Sequence, residues 1–342
     1  MRIGDLEVLS LLDGFFRLDG GAMFGVVPKP LWQKCAPADR KNRIRLAMRP
    51  MLVRGGSFAL LVDAGIGMDR NPAWKSIYKI ERGGGGVVNA LNANGLKPED
   101  ITDVVVTHLH FDHAGGLTHR DAAGALRLAF PRAIVHIRRS QWEWALTPSE
   151  REAGSLIAED LQLLKAEAKL NLLETDTEVQ PGVFAVETGG HAPGHQIVIV
   201  GGAGKRGAGF SADILPWAKE IAQSANVVDI RSDSQQKGRR DSVLGVPSPP
   251  EGVEGAGEGD KKPRQASVLV FCGDLIPTAA HVRVPYVMAY DSDPNTTVVE
   301  KRKLLARAAS ERWLLVFEHD PKVVATFVEP GARHYALRKV EL

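Results

Sequence analysis

The segment THLHFDHAGG, which opens at Thr107, places His108, His110, Asp112 and His113 within six residues. Imidazole nitrogens suit divalent first-row metals, and a carboxylate adds hard, charged ligation. In an extended segment His108 and His110 point the same way, while Asp112 and His113 follow on the turn. That arrangement offers two ligands to one ion and two to a neighbour. Two divalent ions about 3.5–4 Å apart lower the pKa of a water between them, so that hydroxide exists near neutral pH to attack a carbonyl or phosphoryl centre. The chemistry that such a pair of ions would support is hydrolysis. No covalent protein nucleophile is required, and the chain carries no GxSxG elbow to supply one.

The elements that must position these residues are short and apolar. DVVVT, residues 103–107, reads as a buried strand running straight into the histidines. Residues 6–12, 45–53 and 58–62 read as strands bounded by glycine turns, and 89–94 as a helix ending at Gly95. Residues 18–32 (LDGGAMFGVVPKPLW) hold too many Gly and Pro for a regular element and are expected as an apolar loop. A strand at 133–137 precedes an amphipathic helical region between 140 and 173. VFAVETGG delivers HAPGH, and QIVIV continues as a strand. Thr297-x-x-Glu300 predicts a capping box for a helix through Ala309, and WLLVF, residues 313–317, is a strand that stops at EHDP.

Composition narrows the class. The chain has 342 residues, enough for two ordinary domains or one large α/β unit, and needs no disulfides to hold a core. With 43 Lys+Arg against 41 Asp+Glu, the net charge of +2 leaves no electrostatic footprint for nucleic acid. Cys35 and Cys272 make no disulfide framework, and neither a signal-peptide pattern nor a membrane-length apolar run is present, so a cytoplasmic setting away from membranes is expected. Residues 229–265 are charged, Gly- and Pro-rich, and lack aromatics; they read as a disordered insertion or long surface loop.

THLHFDHAGG resembles the signature of the metallo-β-lactamase superfamily. The resemblance continues in order through GGHAPGH (His191), FCGDLIP (Asp274) and FEHDP (His319), and so spans nearly the whole chain, the insertion excepted. It implies an α/β fold of the αββα kind, two mixed sheets packed face to face with helices outside, as one domain over 1–342. Carried over position by position, His108, His110 and His191 look like ligands of a first metal. Asp112, His113 and His319 look like ligands of a second, with Asp274 bridging. The cofactors implied are two divalent ions, zinc foremost. Asp112 is the candidate to shuttle the proton of a bridging hydroxide. Asp213, in GAGFSADILP, rivals Asp274 by its nearness to His191, but SVLVFCGD is the better buried strand and leads without a break toward His319.

Other residues carry less. His195, the second histidine of HAPGH, is expected as a structural group or a partner of ligands, and Asp63 as a turn-forming carboxylate or such a partner. His136, His119 and His334 are expected to be incidental, His281 structural, and Cys272 a core residue. Met23, Phe24, Tyr286 and Tyr290 fit either core or cleft.

Absences favour one branch of the superfamily. A periplasmic β-lactamase would want a secretory signal and a cysteine at the Asp274 position. An iron-dependent oxygen reductase would carry an acid in place of His110, and a glyoxalase-II-like thioesterase a helical tail after the last ligand. LDGGAMFGVVPKPLW and GDLIPTAAHVRVPYVMAYD are similar to the quorum-quenching branch, whose members open N-acyl-homoserine lactones. The substrate expected is a small lactone or ester. The alternatives are an aryl esterase or organophosphate triesterase of the same branch, or a mononuclear iron dioxygenase or metal-binding protein without hydrolysis.

Overall fold

The computed structural model describes residues 1–67, 72–82, 86–201, 266–332 and 334–342. The expected insertion at 229–265 and the rival Asp213 lie outside the described residues. Two seven-stranded sheets dominate. The first runs Arg2–Ile3, Leu6–Ser10, Met51–Arg54, Ala59–Val62, Asp103–Val105, Ile134–Arg138, Lys169–Leu173, and its last four strands are mutually parallel. The second runs Thr177–Gln180, Val183–Glu187, Gln196–Gly201, Val268–Phe271, Leu314–Val316, Ala325–Glu329, Ala336–Val340. Its one parallel pairing joins Val268–Phe271 to Leu314–Val316.

Strand periodicity explains the layering. Val62, Val105, Val198, Val200, Phe271 and Val316 pack between the sheets, while Leu61, Val104, Val135 and Ile137 turn outward against Leu91, Trp142, Leu161 and Leu164. On the other outer face Ile197, Ile199, Val270 and Leu315 meet Leu304, Leu305 and Ala308 of the helix Pro294–Glu311. Both faces of the central strands are therefore buried, which is why DVVV, QIVIV and WLLVF read as continuous apolar runs without alternation. The architecture is the expected αββα sandwich. Truncating a buried leucine such as Leu304 to Ala costs about 2–5 kcal/mol in a layer of this kind. No described helix is long and apolar enough to cross a membrane.

Three local expectations need correction. Residues 18–32 are not irregular: they hold helices Gly20–Phe24 and Lys29–Trp32. Asp19 caps the first by accepting from the Ala22 amide at 2.9 Å, and a proline stands in the first turn of the second, where a missing N–H is harmless. A Cβ on Gly20 would lie 2.5 Å from the Trp32 ring, so the glycine that argued against order is what lets the helices touch. The region 140–173 is two helices, Arg139–Leu146 and Ala158–Glu167, followed by the edge strand Lys169–Leu173, whose alternation suits the sheet. Finally, the late helix starts at Pro294, capped by Asp293 through the Asn295 and Thr296 amides at 3.1 Å; Thr297 and Glu300 lie inside it.

Candidate metal centre

The parallel strands Ala59–Val62 and Asp103–Val105 end side by side, and a buried aspartate ties their ends together. Asp63, at φ 57°, occupies the left-handed region that Asp tolerates in a tight turn. Its Oδ1 accepts from the Thr107 amide and its Oδ2 from the Thr107 hydroxyl, both at 2.7 Å. The chain beyond Thr107 then passes close to the turn: a Cβ on Gly116 would stand 2.0 Å from the Ala64 carbonyl, so only glycine fits. His108 and His110 precede the single-turn helix Phe111–Ala114, which carries Asp112 and His113. His191 arrives on the turn between Val183–Glu187 and Gln196–Gly201, Asp274 on the 3-10 turn Gly273–Leu275, and His319 just beyond Leu314–Val316.

All seven residues expected at the site converge. The ligand atoms of His108, His110 and His191 lie within 4.8 Å of one another, as do those of Asp112, His113 and His319. His110 Nδ1 is 3.0 Å from His108 Nε2 and 3.1 Å from His191 Nε2. Asp274 stands between the trios with one oxygen toward each. Its Oδ2 is 3.3 Å from His191 Nε2, and its Oδ1 is 3.1 Å from His319 Nε2 and 3.5 Å from His113 Nε2. Asp112 Oδ2 is 3.6 Å from His319 Nε2.

Proton accounting shows what the donor set fits. His319 Nδ1 donates to the Ala47 carbonyl at 2.7 Å, and His113 Nδ1 donates to Asp63 at 3.0 Å. In its neutral form each therefore presents a bare Nε2, and the two Nε2 atoms face each other at 3.1 Å. His191 Nδ1 donates to Asp291 at 2.9 Å, and His108 Nδ1 to the Thr107 oxygen at 3.1 Å, which again leaves Nε2 lone pairs pointing inward. Asp274 Oδ1 is buried with no hydrogen-bond partner. Converging lone pairs in a buried place are costly unless a cation lies among them. The residues fit divalent metal, and the outer nitrogens of His108, His113, His191 and His319 are already anchored, as ligating histidines require.

Charge in the metal-free chain follows the same geometry. Burial, reinforced by neighbouring histidines, pushes His108 and His110 well below the ordinary histidine range. Burial also disfavours a charge on His113, but the carboxylates of Glu318, Asp274 and Asp112 outweigh it and hold its pKa well above the ordinary value. Against its own burial, His319 is raised to about 9 by Asp274. Burial pushes Glu318 up to about 8.

The remaining residues separate cleanly. His195 accepts from the Asp274 amide at Nε2 (3.1 Å), so Nδ1 donates to Thr188 (2.8 Å); both nitrogens are spent on holding the Asp274 turn. His281 is likewise occupied, between Thr278 and the Met23 carbonyl. His136 is buried against Asp103, whereas His119 and His334 are exposed. Cys272 is fully buried and burial pushes its thiol far up, as befits a core residue. Met23 and Tyr290 line a cavity of about 350 Å³ together with Leu18, Tyr78 and Phe111, and the same cavity reaches His110, Asp112, His191, Asp274 and His319. Phe24 and Tyr286 are core, with Phe24 stacked on Trp32 and His281.

Three neighbours of the site were not singled out by sequence reasoning. Asp291 anchors His191, Glu318 approaches His113 Nδ1 to 2.8 Å, and Arg151 lines the cavity while donating to the Asp291 carbonyl at 3.2 Å. The available signal was weak: an acid closing the apolar run WLLVF, and another in the polar DSDP.

The family model of the metallo-beta-lactamase superfamily matches residues 50–225, half of the chain. The chain belongs to the metallo-beta-lactamase superfamily. An N-acyl homoserine lactonase of Bacillus sp is 34% identical over 114 residues, which are 33% of this chain and 38% of that protein. The N-acyl homoserine lactonase AttM of Rhizobium radiobacter is 32% identical over 121 residues, 34% of this chain and 41% of that one. The match thus spans well under half the length of these curated relatives. The crystal structure of a "probable metal-dependent hydrolase" from Staphylococcus aureus is similar over 100% of both chains, at 27% identity and a TM-score of 0.74. AidC, a dizinc quorum-quenching lactonase, shares the superfamily fold at 17% identity and a TM-score of 0.67, over 100% of this chain and 97% of that one.

Proposed function

We propose that this superfamily member is a dinuclear metal-dependent hydrolase that opens N-acyl-homoserine lactones. The observation that carries the reading is the Asp274 carboxylate, which turns one oxygen to the His191 side and the other to the His319 side. His108, His110 and His191 would hold one ion and Asp112, His113 and His319 the other, with Asp274 shared. When bound, such ions supply Lewis acidity toward the substrate carbonyl and make water a nucleophile near neutral pH.

The chain's own residues supply the rest. Asp112, which lines the cavity, takes the proton of the attacking water on a carboxylate oxygen and returns it to the ring oxygen as the ester C–O bond breaks. Asp274, held through its backbone amide by His195, keeps the two trios in register. Leu18, Met23 and Phe111 give the cavity an apolar wall suited to an acyl chain. The lactonase activity of the Bacillus and Rhizobium relatives supports the same substrate class. The test is a panel of N-acyl-homoserine lactones, aryl esters and organophosphate triesters offered to the zinc-loaded protein. The expected result is the highest kcat/KM on the lactones; turnover of aryl esters or triesters with the lactones untouched overturns the substrate assignment.

A further inference from the structure

Behind the second trio lies a buried acid for which the reaction gives no use. Glu318 is fully buried, and neither of its carboxylate oxygens has a hydrogen-bond partner. Its Oε2 stands 2.8 Å from His113 Nδ1, but the proton of that nitrogen is aligned on Asp63 Oδ2 at 3.0 Å. Asp63 is saturated by Thr107, whereas Glu318 is not saturated by anything. An unpaired buried carboxylate destabilises a fold by several kcal/mol unless positive charge compensates it. In the metal-free chain that compensation comes from the His113 ring itself, 2.8 Å away, and a cation held at the ring's Nε2, which faces His319, would take its place.

We propose that Glu318 is a positioning residue for the second ion, adding negative charge behind His113 so that the Asp112–His113–His319 trio binds its cation tightly. The inference rests on the two-ion reading above. Charge balance favours it. Asp112 and Asp274 beside the histidines offset only one dication; the buried carboxylates behind the rings, Asp291 at His191 and Asp63 and Glu318 at His113, supply the negative charge that a second dication needs, and two of these three stand at His113. Asp63 serves double duty, since it also ties together the ends of two strands. Glu318 has only the electrostatic task. Carboxylates behind a ligating histidine raise its basicity, and their loss typically weakens metal affinity by about 10–100-fold.

The test is a titration of the metal-free chain with Zn2+ against a chromogenic chelator, giving two stepwise constants, for wild type, Glu318→Gln and Glu318→Asp. One constant is expected to weaken by about 10–100-fold in Glu318→Gln while the other stays unchanged. Glu318→Asp, which keeps the charge, retains more of that affinity. Two unchanged constants in Glu318→Gln, or two equally weakened ones, overturn the proposal, since a neutral hydrogen-bonding or general structural role predicts those results. A wild-type chain that takes up a single ion overturns the two-ion reading, and this proposal with it.

Discussion

The strand Asp103–Val105 has a buried His–carboxylate cluster at each end, and the two clusters differ in one respect. At its start, His136 Nε2 donates to Asp103 Oδ1 at 2.8 Å and His136 Nδ1 accepts from Asn171 at 3.0 Å. Asp103 Oδ2 accepts from Thr102 at 2.7 Å and Gln180 at 2.9 Å. Every proton there has a lone pair. Although burial opposes it, these donors hold the Asp103 carboxyl below its usual range. Beyond the strand's other end, His113 and His319 turn their Nε2 atoms toward each other at 3.1 Å, and Asp274 Oδ1 has no hydrogen-bond partner. The residue types are the same, and the satisfaction is opposite. A complete network is a structural device, whereas an incomplete one in a cleft marks the place of a ligand.

The sharpest way to break this contrast is at Asp274. Asp274→Asn removes the charge shared by the trios, and hydrolysis is expected to fall by about three orders of magnitude or more, with loss of bound metal. Turnover and metal analysis of the same preparation check it. His110→Ala should lower metal content and activity together, because its Nδ1 completes the first trio.

At the other end the opposite split is expected. His136→Leu leaves Asp103 buried without its imidazole partner and should cost about 3 kcal/mol of stability, read by denaturant unfolding. Metal content and kcat per folded molecule should not change. Loss of metal in His136→Leu would erase the distinction between the two ends.

His281 is a second satisfied histidine and sharpens the comparison through pH. Burial, aided by the Lys301 charge, lowers its pKa from 6.5 to about 4. As pH falls, the unfolded chain takes up the proton first, so the contribution of neutral His281 is complete above about pH 6.5 and drains away toward pH 4. Comparing wild type with His281→Gln in the metal-free state, the stability difference should shrink by about 2 kcal/mol by pH 5. A difference independent of pH contradicts this assignment. The smallest effect is expected of His195→Ala, which only loosens the Asp274 turn: on the order of tenfold in metal affinity or activity.

How much of this was legible follows from where each partner sits. HLHFDH declares itself because its four candidate ligands crowd into six residues and end an apolar strand. His191, Asp274 and His319 were legible through the likeness of HAPGH, FCGDLIP and FEHDP to a family pattern; as lone residues they carry no signal. The sandwich was readable because strands buried on both faces must be apolar throughout. What escaped depends on tertiary approach. Asp291 and His191 are 100 residues apart and Glu318 and His113 are more than 200 apart, so nothing local links them. The helices in 18–32 exist because Gly20 meets Trp32, a contact that propensity does not encode.

The central claim is that Asp274 lies between two metal ions, and anomalous diffraction at the zinc edge from crystals of the zinc-loaded protein tests it most directly. The account predicts two peaks about 3.5–4 Å apart, one among His108, His110 and His191 and the other among Asp112, His113 and His319, with Asp274 touching both. A single peak, or two peaks of which Asp274 touches only one, contradicts it.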